Sequence, residues 1–224
     1  MKKNEFSVVS TGVFDRCGND TVSANAFYAI MTIVLCEGLG ITAFFAHYAI
    51  QIGFMPSWWS FIGLGLIVPI LGIILSIKSE NPILSFIGYN MVAIPFGFLL
   101  GPVVQQYSPS VVQNAFVVTA GITFLMGLAG TLFPNFFRQI GGFLFVSLFG
   151  LLVVRIVQIF VPALDLTVID YIAAGIFSLY IGYDMYRANT MTKTVDNAVD
   201  ICVDLYLDII NLFINILKIM GKKS

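Results

Sequence analysis

The sequence predicts an all-α membrane protein, a single bundle of seven transmembrane helices, and three observations predict it. Hydrophobic residues fill 58% of the 224 positions and charged residues only 10%, against about 45–50% and about 25% in soluble domains. The apolar residues gather into seven runs, each near the roughly 20 residues that a helix needs to cross the hydrocarbon layer. The links between runs are short, the longest running from Ala188 to Asn197, which leaves no room for a separate soluble domain.

Residues 1–22 are polar, with Lys2, Lys3, Asp15, Arg16, Asn19 and Asp20, and read as a flexible cytoplasmic tail. The first apolar run is too long for the core of a cleaved signal peptide, so it is expected to remain as a helix. The spans fall near residues 23–46, 57–77, 83–104, 110–132, 136–161, 168–187 and 198–219, giving one transmembrane domain over 23–220. The second and third contain Pro69 and Pro95. Kinks there are expected to open a cavity, since freed carbonyls are tolerated where neighbours or water satisfy them. Gly97-Phe98-Leu99-Leu100-Gly101 in the third span allows close helix approach, expected inside the bundle rather than between copies.

Lysine and arginine counts set the direction. The tail carries Lys2, Lys3 and Arg16, and successive loops carry none, Lys78, none, Arg138, none, then Arg187 and Lys193. The alternation places the N-terminus in the cytoplasm. Seven spans would leave Lys218, Lys222 and Lys223 on the far side, whereas a re-entrant last segment would bring them back; the sequence leaves both open.

Several classes are excluded. A net charge of -1 gives nucleic acid no electrostatic footing. Cys17, Cys36, Cys202 and His47 are scattered, which argues against a zinc or haem site, and no cofactor is expected. The Asn19-Asp20-Thr21 sequon falls in the cytoplasmic tail and carries no weight.

Acids inside the spans carry the chemistry. Asp184 lies in the sixth run, and Asp208 in the seventh. An ionised carboxylate in hydrocarbon survives only by facing a partner or a water-filled cavity, which makes the pair a functional site by default. In the last helix Asp196, Asp200, Asp204 and Asp208 recur every four residues and share one slowly drifting stripe. Asp196 and Asp200 are expected to cap or to face solvent at the helix start, Asp204 to be auxiliary, and Asp208 to act.

Two facing carboxylates cannot both ionise easily and titrate as a unit. A shared proton would hold two helices together. Its loss would bring repulsion and an oxygen-rich pocket for a hard cation such as Ca²⁺, with Asp184, Asp208 and Asp204 as transient ligands. Glu37 and Arg155, the other ionisable residues well within the spans, are expected to pair with each other.

Phe177-Ser178-Leu179-Tyr180-Ile181-Gly182-Tyr183-Asp184, followed by Asp204-Leu205-Tyr206-Leu207-Asp208-Ile209-Ile210-Asn211-Leu212-Phe213, resembles the signature of the Bax inhibitor-1 family, the transmembrane Bax inhibitor motif proteins. The resemblance is specific over residues 177–217. It implies a central last helix wrapped by the other six, and a pH-sensitive Ca²⁺ leak whose sensor and gate are acids at Asp184 and Asp208. It also implies a multi-pass protein of the bacterial cytoplasmic membrane, with the bilayer, Ca²⁺ and H⁺ as partners. Where bacterial relatives carry an arginine latch at the cytoplasmic end of the second helix, this chain has Ile77-Lys78-Ser79-Glu80, so Lys78 is the expected latch. Asp204 stands where relatives have a small polar residue, which would make the dyad a triad.

Rival readings differ in their chemistry. Tyr183-Asp184 matches the first motif of intramembrane aspartyl proteases, but Leu205-Tyr206-Leu207-Asp208 lacks the Gly-x-Gly-Asp of the second, and no enzyme is expected. A retinal protein would need a deeper lysine than Lys218. A proton-coupled cation transporter and a non-conducting interaction or stress-protection protein remain the alternatives.

Overall fold

The computed structural model describes residues 21–161 and 167–222, so the expected tail, apart from Thr21 and Val22, lies outside the described residues. Seven helices run α1 Ala24–Gln51, α2 Trp58–Lys78, α3 Pro82–Val104, α4 Pro109–Leu132, α5 Pro134–Phe160, α6 Thr167–Thr190 and α7 Val195–Gly221. The protein is an all-α membrane protein. The first six helices are long and apolar enough to span a bilayer, and α7 is set apart by its charges.

Local chemistry fixes the helix starts. Ser23 accepts a hydrogen bond from the Ala26 amide at 3.2 Å, Asn81 from the Ile83 amide at 2.9 Å, and Thr194 from the Asn197 amide at 3.0 Å, each satisfying a donor that the first turn leaves open. Pro82, Pro109 and Pro134 open α3, α4 and α5, where a missing N–H costs nothing. In α2 a π-helical turn at Gly63–Ile67 precedes Pro69, a widening that accommodates a proline within a helix.

The interior is built around α7. Eighteen of its 27 residues are buried, and it packs on α1, α3, α4 and α6. The outer helices show large side chains outward, such as Phe116, Phe124 and Phe145 at 64%, 67% and 72% exposure, as a lipid-facing surface requires. The resemblance implied that all six helices wrap α7. In the structure α5 packs chiefly on α6 and stands off α7, with only Phe137, Leu144 and Leu151 buried among its described residues.

Glycines set two close approaches. A Cβ on Gly97 or Gly101 would meet the backbone of Thr42 or Ala46 in α1, so the G-x-x-x-G packs internally, as expected. A Cβ on Gly130 in α4 would collide with the Gly182 carbonyl in α6, which fixes the height of α6.

The chain ends establish the relative sides. The Val22 amide donates to the Lys193 carbonyl at 2.8 Å, and Thr21 bridges Thr194, so the starts of α1 and α7 lie at the same end of the bundle. At the other end of α7 Lys222 donates to Thr167, at the start of α6, at 2.6 Å. The last segment is one continuous helix of 27 residues, about 40 Å long, and not re-entrant. Its end therefore faces the side opposite the start of α1.

Candidate functional site

Asp184 and Asp208 meet. Asp184 lies in the last two turns of α6, and Asp208 comes to its level because α6 continues past Arg187 to Thr190. Counting depth from a helix that ends at Arg187 favours Asp204 instead. The two carboxyl groups are close neighbours across the α6–α7 joint, and both residues are buried, at 2% and 8% exposure. One oxygen of each, Asp184 Oδ2 and Asp208 Oδ2, accepts no hydrogen bond.

The cation on the acids is Arg187. Its Nη1 donates to Asp184 Oδ1 at 3.0 Å and to Asp204 Oδ2 at 2.6 Å, and its guanidinium lies 6.0 Å from the centre of the Tyr183 ring. Only 11% of its side chain is exposed. Arg187 thus ties α6 to α7 one turn above the dyad, and Asp204 joins the cluster through it. Lys78, expected as latch, is exposed at the end of α2, which packs mainly on α3. The latch position is occupied from within α6 instead. Sequence reading placed Arg187 in a loop; the available signal was its position three residues after Asp184, on the same helical face.

Among the described residues no group of three or more His, Cys, Asp or Glu side chains is arranged to hold a metal ion. The Arg187 guanidinium sits between Asp184 and Asp204. Asp196 and Asp200, expected to cap the helix or to face solvent, are 5% and 0% exposed, so the solvent-facing alternative is corrected; Asp196 lies in the first turn of α7 and accepts the Ser85 hydroxyl at 2.8 Å.

A cavity of about 460 Å³ runs from this cluster along α7, between α5 and α6. Asp204, Asp208, Asn211, Asn215 and Lys218 line it at alternating steps of four and three, one face of a helix, over about 20 Å. Leu148, Leu151, Leu152 and Phe177 form apolar walls. The cavity exists where α5 stands off α7. It does not arise from the prolines of α2 and α3, which lie on other helices.

At the far end Arg155 donates to Asp170 at 2.7 Å and to Asn215 at 2.9 Å. The expected Glu37–Arg155 pair is thus corrected. Glu37 lies on α1 near Asn90 of α3, whereas Arg155 takes Asp170 in the first turn of α6. Asp170 was missed although it lies inside the sixth run, because it sits at the very start of that run; it belongs to the first turn of α6. Of the remaining candidates, Cys202 is buried and donates to the Met31 and Ala198 carbonyls, and His47 is exposed beside Gln51 at 2.8 Å. Cys17 lies outside the described residues.

A seven-helix membrane protein whose central helix carries an acid facing its neighbour across a polar-lined cavity is a narrow class. Residues 24–224 match the family model described as inhibitor of apoptosis-promoting Bax1, and the chain belongs to this family, the Bax inhibitor-1 family. It is similar to Bax inhibitor 1 of Schizosaccharomyces pombe, 32% identical over 131 residues that cover 56% of this chain and 47% of the relative, so the chain spans about half the length of that relative. It is also similar to the inner membrane protein YbhL of Escherichia coli, 26% identical over 93% of this chain and 94% of that protein.

Proposed function

We propose that this Bax inhibitor-1 family protein is a pH-sensitive Ca²⁺ leak channel, gated by the Asp184–Asp208 pair and seated in a bacterial cytoplasmic membrane with its N-terminus inside. The observation that carries the reading is the buried, adjacent acid pair at the head of a polar-lined cavity along α7. With one proton between them the carboxyls bridge α6 and α7. Loss of that proton sets two like charges face to face and pushes the helices apart. Arg187, which spans the same joint through Asp204, must release for the carboxylates to meet a hard cation. Rising pH removes the proton, so the leak increases as pH rises.

The test is Ca²⁺ entry into proteoliposomes loaded with a calcium dye, between about pH 5 and pH 8. Wild-type flux should rise with pH, Asp184→Asn and Asp208→Asn should flatten the profile, and Arg187→Gln should raise flux at the acid end. No flux above empty liposomes, with the protein folded, would sink the channel reading.

A proton-coupled cation transporter is favoured by one observation: Arg155 and Lys218 at the far end of the cavity oppose free passage of a cation. It requires counter-movement of protons, read as loss of Ca²⁺ entry when the pH gradient is collapsed.

A further inference from the structure

We propose that the Arg155–Lys218 end of the cavity is a binding site for the phosphate of an anionic amphiphile, whose apolar chain lies along the cavity between α5 and α7. Arg155 and Lys222 share one carboxylate, Asp170, at 2.7 and 3.5 Å. Lys218, half-buried and lining the same cavity, has no hydrogen bond or ion pair among the described residues. Cations near a helix end ordinarily extend to the membrane surface. Arg155 is instead held inward by Asp170 and Asn215, with Lys218 beside it on α7.

Arg155 and Lys218 line the cavity together, and an arginine fork with a lysine suits phosphate. The walls select what is attached to it. Leu148 and Leu152 line the cavity and are nevertheless 39% and 54% exposed, so the gap opens sideways beside α5, a helix otherwise covered with outward-facing apolar side chains. A chain entering from the bilayer would meet leucines first and place its phosphate at the level of the two cations. The site is independent of whether the protein conducts Ca²⁺.

The test uses the full chain in a neutral detergent. Thermal stability is titrated with phosphatidylglycerol, with phosphatidylcholine and with inorganic phosphate, for wild type, Lys218→Gln, Arg155→Gln and, as a control at the opposite end of the bundle, Lys78→Gln. Because Lys218 makes no hydrogen bond or ion pair among the described residues, its variant should fold normally. Phosphatidylglycerol should stabilise wild type and Lys78→Gln, phosphatidylcholine and phosphate should not, and Lys218→Gln should bind about tenfold more weakly, the loss of one charge-assisted hydrogen bond. Protection by inorganic phosphate equal to that by the lipid would keep the anion site and overturn the buried chain. Equal stabilisation of wild type and Lys218→Gln by phosphatidylglycerol would overturn the site.

Discussion

Two arginines decide how the acids of this protein are balanced, and neither partnership follows from sequence alone. Asp184 and Asp208 were legible because a charge in an apolar run is costly. Arg187 and Asp170 were not, because both lie within one or two turns of a helix end, where hydropathy does not resolve whether a residue is inside the span. Their partners followed the same error: with Asp170 passed over at the edge of its run, Glu37 was left as the acid for Arg155. The corrected pairing is measurable by a double-mutant cycle in unfolding experiments. Arg155→Gln and Asp170→Asn should couple by about 1–3 kcal/mol, whereas Arg155→Gln and Glu37→Gln should add within about 0.5 kcal/mol. Coupling of Arg155 to Glu37 would restore the original assignment.

Among the helices, α6 is positioned by contact and α7 by burial. The approach of Gly130 to Gly182 sets α6 against α4 and so places Asp184, about half a turn further along α6, at the height of Asp208. A Cβ at Gly182 would also meet the Phe137 ring. Gly182→Val should therefore destabilise the protein by about 1–3 kcal/mol, while Gly175→Val in the same helix, with open space beside it, should stay within about 0.5 kcal/mol; thermal unfolding of the two variants separates them. The spans themselves were readable, since seven apolar runs match seven helices. What the runs did not contain was their neighbours. Amphipathic pattern cannot reveal that α5 packs on α6 and leaves α7, which is why the cavity was assigned to the prolines of α2 and α3.

At the scale of the whole molecule, the tie between Val22 and Lys193 puts the starts of α1 and α7 on one face of the membrane and the end of α7 on the other. In a chain with Cys17, Cys36 and Cys202 replaced by alanine, single cysteines at Ser23 and Lys193 should react with an impermeant thiol reagent from one side of sealed vesicles. A cysteine at Lys222 should react only from the other. Labelling of all three from the same side would contradict the continuous α7. That continuity bears on biosynthesis. The helix at the centre of the bundle leaves the ribosome after the other six described helices, and its composition does not suit lipid by itself. Its predecessors must first enter the bilayer as an unfinished ring with a vacant slot, and the acid stripe is delivered into that slot only when α6 and the short turn after it are in place. A nascent chain stopped before Val195 would be a fully inserted membrane protein with no interior.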